Sequence, residues 1–256
     1  MKRVIILLFF VIFIFSSCKE RVLSRYPDGS IKQKEIVWNR KENLFCVVSY
    51  NEDRSVRDSS FFFGDSLARQ IVMNDDNRGL KCQYDVISPN ERYIRCFYPT
   101  GIVHSIGVVY DLDPIGDWKS YYPNGKLHIF ESFGSHGLRV FLRRYDEDGN
   151  VITTGGSAIY HIHSLCDTIF LLGKKYSSEV FLVDPPDCTV TLYFSELDEQ
   201  DVRLHTKPMP IHDSRSFVEF SPTEKGTYKI AFDWIIEDKS GEEVLKGSYI
   251  QNFIVY

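Results

Sequence analysis

The 256-residue chain sets 30 Lys and Arg against 35 Asp and Glu, a formal net charge of −5. That acidic balance leaves no basic stripe to displace counterions from a phosphate backbone, and nucleic acid is not expected as a partner. Hydrophobic content of 43% and aromatic content of 14% exclude a disordered chain and give enough apolar surface for two modest cores.

The first element is a leader. Lys2 and Arg3 precede an unbroken apolar run, Val4 to Phe15, followed by Ser16, Ser17 and Cys18. As a helix this run spans about 18 Å, short of the roughly 30 Å hydrocarbon core of a bilayer, so it reads as a secretory h-region and not a membrane span. Ser16-Ser17-Cys18 resembles a bacterial lipobox, with Phe15 in the place usually held by Leu. The resemblance implies a signal peptide over residues 1–17, cleavage before Cys18, and palmitate-type acyl chains on that cysteine. The expected partner is then a membrane, and the expected location the cell envelope, on the periplasmic or outer-surface side.

Residues 19–155 repeat. Four segments share one frame: Tyr26-Pro27-Asp28-Gly29, Tyr98-Pro99-Thr100-Gly101, Tyr122-Pro123-Asn124-Gly125 and Tyr145-Asp146-Glu147-Asp148-Gly149. The glycines at 101, 125 and 149 are evenly spaced, and Gly29 falls in the same phase. The frame predicts degenerate copies near positions 53 and 77. Each unit reads as an aromatic strand, a tight turn whose glycine supplies positive φ, and a returning strand. Single hairpins are marginal in water, so the units must share a sheet.

Cysteines Cys46, Cys82, Cys96, Cys166 and Cys188 follow the anchor. Cys82 and Cys96 flank a turn at Ser88-Pro89-Asn90-Glu91 that would bring them near each other, but the odd count and the spacings favour buried free thiols.

The stretch Gly116-Asp117-Trp118-Lys119-Ser120-Tyr121-Tyr122-Pro123-Asn124-Gly125-Lys126-Leu127 resembles the variant MORN repeats of bacterial proteins. The likeness is clear over 97–152 and thin over 25–96, where Ile87-Ser88-Pro89-Asn90-Glu91-Arg92-Tyr93-Ile94 also resembles a propeller-blade hairpin. It implies an all-β array of hairpins, a MORN-like sheet.

Thr153-Thr154-Gly155-Gly156-Ser157 is small and polar and reads as a linker. Residues 156–256 then hold seven apolar or alternating runs, at 168–172, 179–183, 189–194, 202–205, 216–220, 227–236 and 244–256, which predict a β-sandwich. Pro222 to Tyr228 resembles the tyrosine corner of an immunoglobulin-like domain, with Ile230 where antibody domains carry cysteine. The expected fold is all-β throughout: repeated hairpins over 19–155, then an immunoglobulin-like sandwich.

Candidate chemistry is sparse. His161 and His163 would share a strand face, but two imidazoles with no spaced third ligand read as wet-face histidines, and no metal is expected. Asp146-Glu147-Asp148-Gly149-Asn150 resembles a calcium loop, yet Arg144 stands where a further oxygen ligand belongs, so a hairpin turn is expected. No nucleophile elbow, zinc helix or phosphate loop is present, and neither cofactor nor enzymatic activity is expected. Trp118, Tyr121, Tyr122, Phe130 and Phe133 exceed what one face of a small sheet buries. Together with Cys18 they are the residues singled out, Trp118, Tyr121, Tyr122 and Phe130 as a binding surface for protein or glycan. A non-enzymatic binding or scaffolding module is the expected function. The alternatives are an immunity or antitoxin-like protein, because similar repeats often carry that label, and a glycan- or peptide-directed hydrolase.

Overall fold

Alternation of aromatic or β-branched residues with polar ones, broken every eight to twelve residues by Gly, Pro, Asn or Asp, permits little but antiparallel strands. A computed structural model describes residues 19–39, 41–73, 80–164 and 169–256. Cys18, Cys166 and the repeat copy expected near position 77 lie outside the described residues. The chain divides into two compact units, the first spanning 1–111 with 123–125 and the second 112–122 with 126–256.

In the first unit the strands are β1 (Lys19–Arg25), β2 (Ile31–Asn39), β3 (Leu44–Tyr50), β4 (Val56–Phe63), β5 (Ser66–Met73), β6 (Leu80–Ser88), β7 (Glu91–Phe97) and β8 (Val103–Tyr110). Each pairs antiparallel with the next. This is a single layer, and its buried apolar side chains among the described residues are Cys46, Val48, Cys82 and Val109. Cys82 and Cys96 face each other directly across β6 and β7 and form a disulfide. The expectation of free thiols there is corrected: the short turn at 89–90 fixes a register that puts the two side chains opposite one another. Cys46 is free and buried.

The repeat turns share one hydrogen-bond pattern. Gly29 N–H donates to the Tyr26 carbonyl and Tyr26 N–H to the Ser30 carbonyl, each at 2.9 Å. The same pair of bonds closes 98–102 and 146–150. Gly29 and Gly101 sit at φ +84° and Gly149 at +93°, the left-handed residue that follows a type I turn in a three-residue hairpin loop. The degenerate copy expected near 53 is also present. Asn51 and Ser55 close it, but Arg54, at φ +70°, occupies the left-handed position, one residue later than the period places it.

The second unit opens with a four-strand meander, β9 (Asp113–Tyr121), β10 (Leu127–Phe133), β11 (Arg139–Tyr145) and β12 (Val151–Gly156). Residues 153–156, expected as linker, belong to β12. At Gly156 the missing side chain serves close approach: a Cβ there, at φ +112°, would lie 2.1 Å from the Val140 carbonyl oxygen. That same oxygen accepts the Ser157 N–H at 2.8 Å.

Eight strands follow: β13 (Ile159–Ser164), β14 (Ile169–Phe170), β15 (Tyr176–Leu182), β16 (Cys188–Leu197), β17 (Arg203–Met209), β18 (Arg215–Phe220), β19 (Gly226–Asp238) and β20 (Glu243–Val255). Seven coincide with the seven predicted runs; β13 is additional. They make two sheets, β13-β15-β18 and β14-β20-β19-β16-β17, all antiparallel except for β14 beside β20. Phe194, Ile230, Phe232, Trp234 and Phe253 from one sheet meet Tyr176, Val180, Leu182 and Val218 from the other. Phe130, Phe141 and Tyr145 of the meander join this same core. The Tyr228 hydroxyl donates to the Glu224 carbonyl at 2.9 Å and accepts the Glu224 N–H at 3.0 Å.

Candidate interaction surface

Strand alternation sorts the aromatic residues of the second unit onto two faces. Phe130 pairs with Lys119 and Trp118 with Glu131, so Phe130 and Trp118 point to opposite sides of the sheet. Phe130 is fully buried, with its ring centroid 5.9 Å from that of Phe141 in an edge-to-face arrangement. Its expected place on an exposed surface is therefore corrected. Once one face of the meander packs against the sandwich, the residue of largest apolar area on that face becomes core.

Tyr121 lies opposite Leu127, which packs against the core, and is half-buried on that side. Tyr122 sits at the turn with its ring 4.2 Å from His128, and its hydroxyl donates to the Tyr145 carbonyl at 2.9 Å. Trp118 alone of the four is turned to the open face. There it meets Phe133 edge-on at 6.4 Å, beside Glu131, which holds Arg139 at 2.9 Å, and Leu142, which faces Glu131 on β11. A half-buried indole framed by a phenyl ring and an ion pair is an amphipathic patch suited to protein or glycan contact.

The core side holds two polar groups that the sequence did not single out. Asp117 accepts a bond from Ser132, which is fully buried, and takes the Asp184 N–H at 3.2 Å. Burial pushes the Asp117 carboxyl above its ordinary value, against the opposing pull of those two bonds. Arg143 is 4% exposed; its Nη1 donates to Thr154 Oγ1 at 3.1 Å, its guanidinium lies 5.8 Å from the Tyr145 ring centroid, and its Nε has no partner. A single Asp or Arg within an alternating strand carries no local mark of burial, so neither was legible.

The remaining candidates are structural. His161 and His163 are exposed with rings 6.4 Å apart, and among the described residues no group of three or more His, Cys, Asp or Glu is placed to hold a metal ion. Asp146 spends its Oδ1 on the N–H groups of Asp148 and Asn150 at 2.9 and 2.8 Å, which makes the acidic loop a hairpin turn. These bonds, with the Asn150 side chain first, hold its carboxyl below the usual range.

No curated protein matches the chain. Residues 114–129, which cover Trp118, Tyr121, Tyr122 and most of β9, match the family model described as MORN repeat variant.

Proposed function

We propose that this is a lipid-anchored envelope protein, held through Cys18, whose hairpin array is a non-enzymatic binding or scaffolding module. The observation that carries the reading is the repeated hairpin itself. The matched repeat at 114–129 lies in a sheet whose open face presents Trp118 and Phe133, and no catalytic constellation accompanies it in the sequence. The Cys82–Cys96 disulfide supports an oxidising compartment, since such bonds rarely persist in a reducing cytosol. The sandwich reads as immunoglobulin-like: its strand order and the Tyr228 corner support this, and Ile230 fills the core position that a cysteine holds in antibody domains.

Two measurements test the proposal. Cells fed a clickable fatty acid should label the wild-type chain and not Cys18→Ser; an unlabelled wild type discards the anchor. Crosslinked envelope extracts should yield a partner for wild type that is lost with Trp118→Ala. Identical recovery from both would remove Trp118 from the binding surface.

A further inference from the structure

Register places four exposed apolar residues in one line. Across the first unit the pairing runs from Ile36 through Cys46, Phe61, Arg69, Asp85 and Tyr93 to Val108. Ile36, Phe61, Asp85 and Val108 therefore stand side by side on alternate strands. Two residues further along each of these strands, at the same end of the sheet, come Trp38, Phe63, Ile87 and Tyr110, with the register irregular at Trp38 and Ile87. Their relative exposures are 47, 61, 57 and 49%, although a sheet normally ends in polar turn residues. Alternate strands are about 9.5 Å apart, so the row extends about 29 Å along one end of the sheet. Between two of its members, Phe63, Leu67, Val86, Ile87 and Arg92 line a groove of about 580 Å³. The repeat turns at 26–30, 51–55 and 98–102 lie at the opposite end of the sheet.

The start of β1 lies at the same end as the row. Lys19 pairs with Val37, the neighbour of Trp38, and Cys18 directly precedes Lys19 in the sequence. A lipid on Cys18 would have no spacer: acyl chains entering a bilayer there bring this end of the sheet to the membrane surface. We infer that the end bearing Trp38, Phe63, Ile87 and Tyr110 is a membrane-contact edge, seated in the interface of the bilayer that holds Cys18. The inference rests on the lipid-anchored reading above. Trp and Tyr suit the headgroup level, where their apolar bodies and polar tips are both accommodated, and Phe63 and Ile87 reach below it. The flanking Lys41, Glu42, Asp65, Glu91 and Arg92 are mixed in sign, so apolar burial and not charge drives the contact.

The test uses the full-length lipidated protein in vesicles of phosphatidylethanolamine and phosphatidylglycerol doped with a phospholipid bearing a diazirine high on its acyl chain. After flotation and illumination, mass spectrometry maps the labelled peptides. Label is expected at Trp38, Phe63, Ile87 and Tyr110 and absent from the turns at 26–30 and 98–102. The double variant Phe63→Ser/Ile87→Ser should float equally well, keep its Cys82–Cys96 bond and lose most of the label at Trp38 and Tyr110. Protein that floats with the row unlabelled, as it would if another protein covered it, or with label at the opposite turns, overturns the contact edge and leaves the anchor standing. Protein that fails to float overturns both.

Discussion

The Tyr122 hydroxyl donates to the backbone carbonyl of Tyr145, 2.9 Å away and one hairpin further along the chain. Tyr26 does the same to Tyr50 at 2.8 Å, so the aromatic residue that opens a turn also ties it to the next repeat. Tyr145 continues the series into the sandwich, with its hydroxyl 3.4 Å from the Pro186 carbonyl. Removing the hydroxyl by Tyr122→Phe leaves the ring over His128 and deletes only the tie. A loss of about 1 kcal/mol is expected in urea unfolding, with Tyr26→Phe losing a similar amount.

Phe130 and Trp118 should respond in opposite ways to truncation. Phe130→Ala empties a fully buried site and should destabilise the second unit by about 3–5 kcal/mol. Trp118→Ala removes a half-buried ring from the open face and should change stability by a smaller amount. Parallel thermal melts decide this, and equal losses would place both rings in the core.

Asp117 gives the second unit a pH dependence of unusual sign for a carboxylate. Burial raises its folded pKa above the ordinary carboxylate value, so the folded state binds the proton more tightly than the unfolded chain does. Its contribution is most favourable below the unfolded value and is lost as pH rises through the folded one. Asp117→Asn removes the charge while its single carbonyl oxygen still accepts the Asp184 N–H and its amide NH2 can donate to the Ser132 hydroxyl oxygen. The stability of wild type relative to this variant should therefore fall as pH rises above the ordinary carboxylate range, and a flat difference would refute the assignment.

Cysteine chemistry separates the thiols of the first unit. Burial pushes the Cys46 thiol up to about 11, so native protein at pH 8 should leave it unalkylated by iodoacetamide, while urea-unfolded protein reacts. Reducing Cys82–Cys96, which closes a 14-residue separation, should lower stability by about 3 kcal/mol in the chain-entropy account. A thermal midpoint unmoved by dithiothreitol would count against that bond.

Much of this architecture was legible because turn chemistry is local. The tyrosine turns, the Asp146 turn and the seven sandwich strands all depend on residues within a few positions of one another. What depends on distant pairing was not legible. Phe130 looks exposed until the sandwich that buries it is known, and Cys82 meets Cys96 only once the hairpin register is set. Arg54 replaces a glycine without any compositional cue, and β13 hides in a short segment after the small-residue run. Residues 153–157 look like a flexible tether by composition, yet 153–156 are paired strand and the missing side chain of Gly156 lets it lie against β11.

Gly156 turns that last point into a genetic one. Any amino-acid replacement there adds at least a methyl group where the Val140 carbonyl already stands, and the oxygen displaced is the one that receives Ser157 N–H. Substitution at this position should therefore damage the chain at the seam where Phe141 and Tyr145 reach the sandwich, and second-site suppressors should arise along β11 rather than in the repeats before it.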